Sequence, residues 1–106
     1  MNHSELESYL KAIGEGTRLK ILKFIIDGPL CICDLTATLD MSQPAVSQHM
    51  RRLKEVNIVL DERRGRWTYW SLNAKHPQYP ILLHLLSLLP TLDLLKQICT
   101  NETEEH

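Results

Sequence analysis

The stretch Ser42-Gln43-Pro44-Ala45-Val46-Ser47-Gln48-His49-Met50-Arg51-Arg52-Leu53 reads as a helix with two unlike faces. Val46, Met50 and Leu53 recur at spacings of four and three, the period of a helix that buries one stripe. Ser42 is a good N-cap, and Pro44 falls in the first turn, where a missing N–H costs little. The helix is predicted to run to about Val56. Opposite the apolar stripe lie Ser47, Gln48, Arg51 and Arg52, with Gln43 and the Ser42 cap at the N-terminus. Glutamine can read adenine and arginine can read guanine through paired hydrogen bonds, and free N–H groups at a helix start favour phosphate. His49 either touches DNA or joins a polar network. The bland alternative is a solvated polar face.

Upstream, Leu35 and Leu39 are four apart and predict a short helix over about Cys33–Leu39. Asp40-Met41 makes the tight turn between the two helices, and aspartate tolerates the left-handed conformation. Downstream, Asn57 breaks the helix and Ile58–Asp61 reads as a strand. Glu62-Arg63-Arg64-Gly65-Arg66 is a charged turn, and Trp67–Leu72 is an aromatic-rich second strand. Two short helices joined by a tight turn and followed by a hairpin make a winged helix-turn-helix, placed at about 33–56 with its wing at about 57–73. Arg63, Arg64 and Arg66 at the hairpin tip are positioned to reach a phosphate or the minor groove.

The remaining segments predict helices. Ser4-Glu5-Leu6-Glu7 has a capping-box pattern and opens a first helix over about 4–13. A second runs from about Thr17 to Asp27, stopped by Gly28-Pro29. The last, over about 78–99, carries eleven isoleucines and leucines, with His84, Ser87 and Thr91 as a narrow polar stripe. A helix apolar on nearly all sides must cover one face with its own domain and another with a second copy. Pro90 implies a kink or a restart. The expected fold is mainly α (α+β), one domain over 1–106 with five or six helices and one hairpin wing, homodimeric through the terminal helices.

Composition narrows the function. With 43% hydrophobic and 24% charged residues, the chain has the balance of an ordinary globular domain. The net charge of −1 does not advertise a nucleic-acid partner, but residues 42–70 hold six basic against three acidic side chains, a local excess of +3. The tail 101–106 holds three acids and no Lys or Arg. No basic-then-apolar signal opens the chain, and the most apolar stretch, Pro80–Leu92, is too short to span a bilayer. A cytoplasmic protein with no membrane partner is expected. No nucleophile–base pair, phosphate loop or catalytic carboxylate pair stands out, so an enzyme is not expected. Three cysteines, two of them separated by one residue, do not form a secreted disulfide framework.

Residues 42–53 resemble the recognition helix of the ArsR/SmtB family of metalloid- and metal-responsive repressors. The run GRWTYWSL at 65–72 resembles that family's wing return, and EGTRLKILKFI at 15–25 its second helix. The likeness covers residues 10–73. Asp40 stands where the family often has glycine, and Gly16 where proline is frequent. The resemblance implies a homodimer on double-stranded operator DNA of two-fold symmetry, with no cofactor required for binding.

Pro29-Leu30-Cys31-Ile32-Cys33-Asp34-Leu35 is the second feature. A bare C-x-C is most simply a pair of small buried apolar residues. A helix start, however, favours the thiolate, which is the metal-binding form. The segment resembles the family's metal box, whose two cysteines bind soft ions. The resemblance implies release from DNA when arsenite or antimonite, or alternatively cadmium or lead, binds Cys31 and Cys33. Side chains two apart on a helix do not face each other, so clamping both sulfurs is expected to distort the start of the third helix. The family's third cysteine position is Thr36 here. Cys99, the one spare thiol, either completes a trigonal thiolate site or is an ordinary residue near the chain end. The family's zinc pattern on the last helix, D-x-H followed by H-x-x-E, does not occur, and His3, His76 and His106 show no ligand spacing. His84 reads as a packed, hydrogen-bonded histidine. Two rivals stay open: a thiol-redox repressor, against which the strain of an adjacent-but-one disulfide counts, and a metal-blind regulator on the same scaffold.

Overall fold

The computed structural model describes residues 1–90 of the 106. In chain order it contains α1 (His3–Ile13), α2 (Gly16–Ile25), β1 (Leu30–Cys31), α3 (Ile32–Leu39), α4 (Gln43–Glu55), β2 (Val59–Arg64), β3 (Trp67–Leu72) and α5 (Tyr79–Ser87). The strands form one antiparallel sheet in the order β1-β3-β2. The sequence reading had two strands; β1, only two residues long, carries no periodicity of its own.

Local chemistry sets the helix boundaries. α1 starts one residue earlier than expected because its capping box is built on Asn2 and not on Ser4. Glu5 N donates to Asn2 Oδ1 at 2.8 Å, and Asn2 N donates to Glu5 Oε1 at 3.2 Å. α2 is capped by the Glu15 side chain and ends at Ile25, two residues short of Asp27. Ser42 Oγ accepts from Ala45 N at 3.3 Å and caps α4, with Pro44 in the first turn. Asp40 takes up the left-handed conformation (φ 54°, ψ 48°), and this lets α3 turn sharply into α4. Asn57 (φ 61°) turns the chain from α4 into the wing.

The hairpin is longer than expected. Pairing runs from Val59↔Leu72 to Arg64↔Trp67, so Glu62, Arg63 and Arg64 belong to a strand, and Gly65-Arg66 alone make the turn, with Gly65 at φ 64°. Backbone pairing does not depend on the polarity of side chains that stand in solvent, which is why a charged run can continue a strand.

The core is built around α2, which buries Ile21, Leu22, Phe24 and Ile25. Leu35 of α3 and Val46, Met50 and Leu53 of α4 join it, with Ile58, Val59, Trp70, and Leu82 and Leu86 of α5. Lys23 Nζ donates to Leu86 O at 2.9 Å, placing a cation at the C-terminal end of α5. Tyr9 OH donates to Gln78 O at 3.4 Å, and burial pushes this phenol above its ordinary pKa.

α5 ends at Ser87, and Leu88 N and Leu89 N close its last turn on Leu85 O and Leu86 O, both at 3.1 Å. Pro90 thus lies beyond α5, which ends three residues before the position where a kink or a restart was expected in the segment 78–99. The rest of that segment, with Thr91 and Cys99, lies outside the described residues. Among the described residues no helix is long and apolar enough to cross a membrane.

Leu35 is fully buried at the join of α3 with the core, whereas Leu60 is 47% exposed on the wing. Leu35→Ala is expected to lower stability by about 2–5 kcal/mol. Leu60→Ser is expected to stay within about 0.5 kcal/mol. Urea unfolding followed by circular dichroism measures both.

Candidate functional site

α4 presents the polar side chains as its two-faced sequence requires. Ser42, Gln43, Gln48, Arg51 and Arg52 are exposed, Ser47 and His49 are half-buried, and Val46, Met50 and Leu53 are buried beneath them. His49 stands apart from the exposed set. Its Nδ1 lies 3.2 Å from Arg18 Nη1. A guanidinium only donates, so Nδ1 is the acceptor. Arg18 also donates from Nε to Ala12 O at 2.6 Å and from Nη2 to Lys11 O at 3.2 Å. This bracket ties α4 to the end of α1, and it puts His49 in a polar network.

Glu15 completes the same corner. Burial raises its carboxyl, but the N–H groups of Thr17 and Arg18, with the charge of Arg18, outweigh that effect, and its pKa lies below the ordinary value.

The three wing arginines have unequal freedom. Arg63 Nε donates to Gly65 O at 3.0 Å. Arg64 pairs with Glu62, and its guanidinium lies 5.1 Å above the Tyr69 ring. Arg66 is exposed and makes no hydrogen bond or ion pair among the described residues. Lys54 Nζ meets Asp61 Oδ1 at 2.9 Å and joins the end of α4 to β2. The pair is largely exposed, so it orients the wing more than it stabilises the fold.

The thiol segment departs from expectation. Cys31 is not helical. It is the last residue of β1 and the N-cap of α3, with extended backbone (φ −84°, ψ 167°). Its Sγ accepts from Asp34 N at 3.4 Å, while its own N–H donates to Asp34 Oδ2 at 3.3 Å. Cys33 sits in the first turn of α3. The extended residue swings the Cys31 sulfur over that turn, and the structure joins Cys31 and Cys33 as a disulfide with Cα atoms 5.3 Å apart. The expectation that these sulfurs face apart is therefore corrected.

Asp34 is the residue that the sequence reading missed. Its carboxylate and the two sulfurs lie within 4.8 Å of one another, a donor set of two soft atoms and one hard one. A carboxylate three residues after a capping residue was the available signal. Cys31 is buried, Asp34 half-buried and Cys33 exposed, so the cluster opens to solvent on one side. Thr36, at the family's third-cysteine position, donates its hydroxyl to Cys33 O at 2.9 Å.

A short helix, a left-handed turn, a second helix with an exposed polar face and an arginine-bearing hairpin together define a winged helix-turn-helix protein. The profile described as bacterial regulatory protein, arsR family, matches residues 15–60. The arsenical resistance operon repressor of Staphylococcus xylosus is 34% identical over 79 residues, covering 74% of this chain and 76% of that protein. The chain belongs to the ArsR family. It is also similar to the arsenic resistance transcriptional regulator ArsR1 of Pseudomonas putida, at 39% identity over 70 residues and 65% of this chain. It spans only 55% of that relative's length. A cadmium resistance transcriptional regulatory protein CadC homolog of Staphylococcus aureus is 32% identical over 76 residues, 71% of this chain and 63% of that protein. Among solved structures, HlyU from Vibrio cholerae superposes with a TM-score of 0.73 at 26% identity, covering 83% of this chain and 97% of that one.

The Glu15 pKa sets a pH dependence. A carboxyl held below its ordinary value of 4.5 stabilises the fold above that value, and the contribution is lost as pH falls through the folded pKa. Glu15→Gln is therefore expected to lower stability at neutral pH and to converge with the wild type in acid. Urea unfolding from about pH 7 to about pH 3 checks this, and parallel curves would contradict it.

Proposed function

We propose that this protein is a DNA-binding repressor of the arsenical-resistance type, released from its operator when a soft ion binds reduced Cys31 and Cys33. One observation carries the reading: two sulfurs and a carboxylate converge at the start of the helix on which α4 rests. Ser42, Gln43, Ser47, Gln48, Arg51 and Arg52 face the major groove, and Arg63, Arg64 and Arg66 reach the backbone or the minor groove. His49 acts from behind, by holding α4 against Arg18.

A homodimer fits the apolar surface. Leu6 and Leu10 of α1 are 45% and 52% exposed, and Ile81 of α5 and Leu88 just beyond it are 54% and 68% exposed. A second copy that covers these helices brings two recognition helices to a two-fold symmetric operator. The protein works in the cytoplasm, where the thiols stay reduced.

The donor set suits arsenite or antimonite through its two thiolates. Asp34 adds an oxygen, which supports cadmium or lead as the alternative inducer. Asp34 is the third donor beside the two thiolates among the described residues. Asp34 also holds the Cys31 N–H, so its withdrawal loosens the start of α3. A cap of this kind contributes about 1 kcal/mol. A thiol-redox reading is the second one, favoured by the Cys31–Cys33 bond itself.

The test begins with an operator selected from a randomised duplex pool. Binding by the reduced protein is followed by fluorescence anisotropy during addition of arsenite, cadmium, lead, zinc or peroxide. Arsenite is expected to release the wild type and to leave Cys31→Ser/Cys33→Ser bound. Release of the double variant by arsenite contradicts the reading, and release by peroxide alone selects the redox one. Asp34→Asn keeps an acceptor for the Cys31 N–H but loses the charge. It is expected to weaken cadmium and lead by about tenfold. Phenylarsonous acid offers only two exchangeable positions, both taken by sulfur, and should bind Asp34→Asn as it binds the wild type.

A further inference from the structure

We infer that Trp67 is a DNA-contacting residue whose indole enters the minor groove beside Arg66 and makes the wing prefer A·T over G·C pairs at the operator flanks. The inference rests on the DNA-binding reading above. It adds a residue and a preference that the recognition helix does not supply.

The wing strand separates its aromatic side chains by period two. Thr68, Trp70 and Leu72 share the face that meets the core, and Trp70 is only 9% exposed. Trp67, Tyr69 and Ser71 share the other face. Trp67 is 50% exposed and stands next to the Gly65-Arg66 turn. Its cross-strand partner is Arg64. That guanidinium is drawn away, over Tyr69 and onto Glu62, and leaves the indole uncovered. Arg63 is held by Gly65 O. The tip thus offers one bare indole and, beside it, one uncommitted guanidinium.

Charge complementarity selects the occupant. Three arginines cluster at this tip against one nearby acid, Glu62, which Arg64 neutralises. The Lys54–Asp61 pair ties β2 of the hairpin to the end of α4, the helix that also carries Arg51 and Arg52. The minor groove over A·T pairs is narrow and negative, which favours Arg66. Its floor shows only acceptors, adenine N3 and thymine O2. Indole suits that floor, because Nε1–H is a donor with no acceptor, and the ring faces are apolar against deoxyribose. A G·C pair places the guanine amino group, itself a donor, in the path of the indole N–H.

The test uses the full-length protein and an operator selected from random duplex. Its flanks are then made A·T, G·C or inosine·C. Inosine·C keeps the major-groove edge of G·C and removes the minor-groove amino group. The wild type is expected to bind A·T flanks about tenfold tighter than G·C flanks, with inosine·C restoring most of the difference. Trp67→Ala is expected to bind all three alike, near the wild-type affinity for G·C flanks. Retained discrimination in Trp67→Ala overturns the inference. Acrylamide quenching, taken as the difference between wild type and Trp67→Phe, should show an accessible Trp67 that becomes shielded by DNA. A Trp67 already shielded in the free protein means that a protein surface covers it, and overturns the inference as well. Failure of the wild type to select any duplex removes the DNA-binding reading and this inference with it, whereas selection without flank discrimination removes this inference alone.

Discussion

Cys31 ends one element and begins another, and the arrangement of the wing and the helix-turn-helix depends on that. Its backbone pairs with Tyr69 in β3, and its sulfur caps α3 by accepting from Asp34 N. No linker separates the sheet from the helix. Leu30, one residue earlier, pairs with Trp70, and Leu35, four residues later, is sealed in the core. α3 then passes through the left-handed Asp40 into α4. A displacement of Cys31 therefore reaches both the wing, through β3, and α4, through α3.

The magnitudes fit a switch of this kind. A hundredfold loss of operator affinity corresponds to about 2.7 kcal/mol between two states. Loss of the α3 cap contributes about 1 kcal/mol, and each broken β1–β3 hydrogen bond about 0.5–1.5 kcal/mol. No large rearrangement is needed. The neighbourhood is also less well satisfied than the core around α2. Thr38 Oγ1 in α3 and Trp70 Nε1 in β3 are buried without hydrogen-bond partners among the described residues, and such atoms cost about 1–3 kcal/mol each. Both lie on elements that flank the thiols, where a shift costs the protein little.

Much of this was legible in the sequence, for reasons that can be named. α4 was readable because Ser42, Pro44 and the Val46/Met50/Leu53 stripe agree on one helix. The wing was readable because Trp67–Leu72 is rich in aromatics and Gly65 marks the turn. β1 was not, since two residues cannot display a period of two and its strand character comes wholly from β3. The α1 cap was misplaced because Asn2 and Ser4 each stand three residues before a glutamate, and local sequence does not choose between them. The thiol geometry was missed for a related reason: helical spacing was applied to Cys31 although it precedes the helix expected from about Cys33, and this hid the extended residue that brings the two sulfurs together. Asp34 followed from that error, since its place beside the sulfurs depends on Cys31 being the cap.

The central claim is that the thiol pair acts through Cys31 on α3 and β3 together. Amide hydrogen exchange of the reduced protein, with and without arsenite, tests it most directly. The account predicts that protection falls at residues 32–36 and 69–71 together, while the buried amides of α2 keep theirs. Unchanged protection in both segments, or a loss confined to α1 and α5, would contradict it.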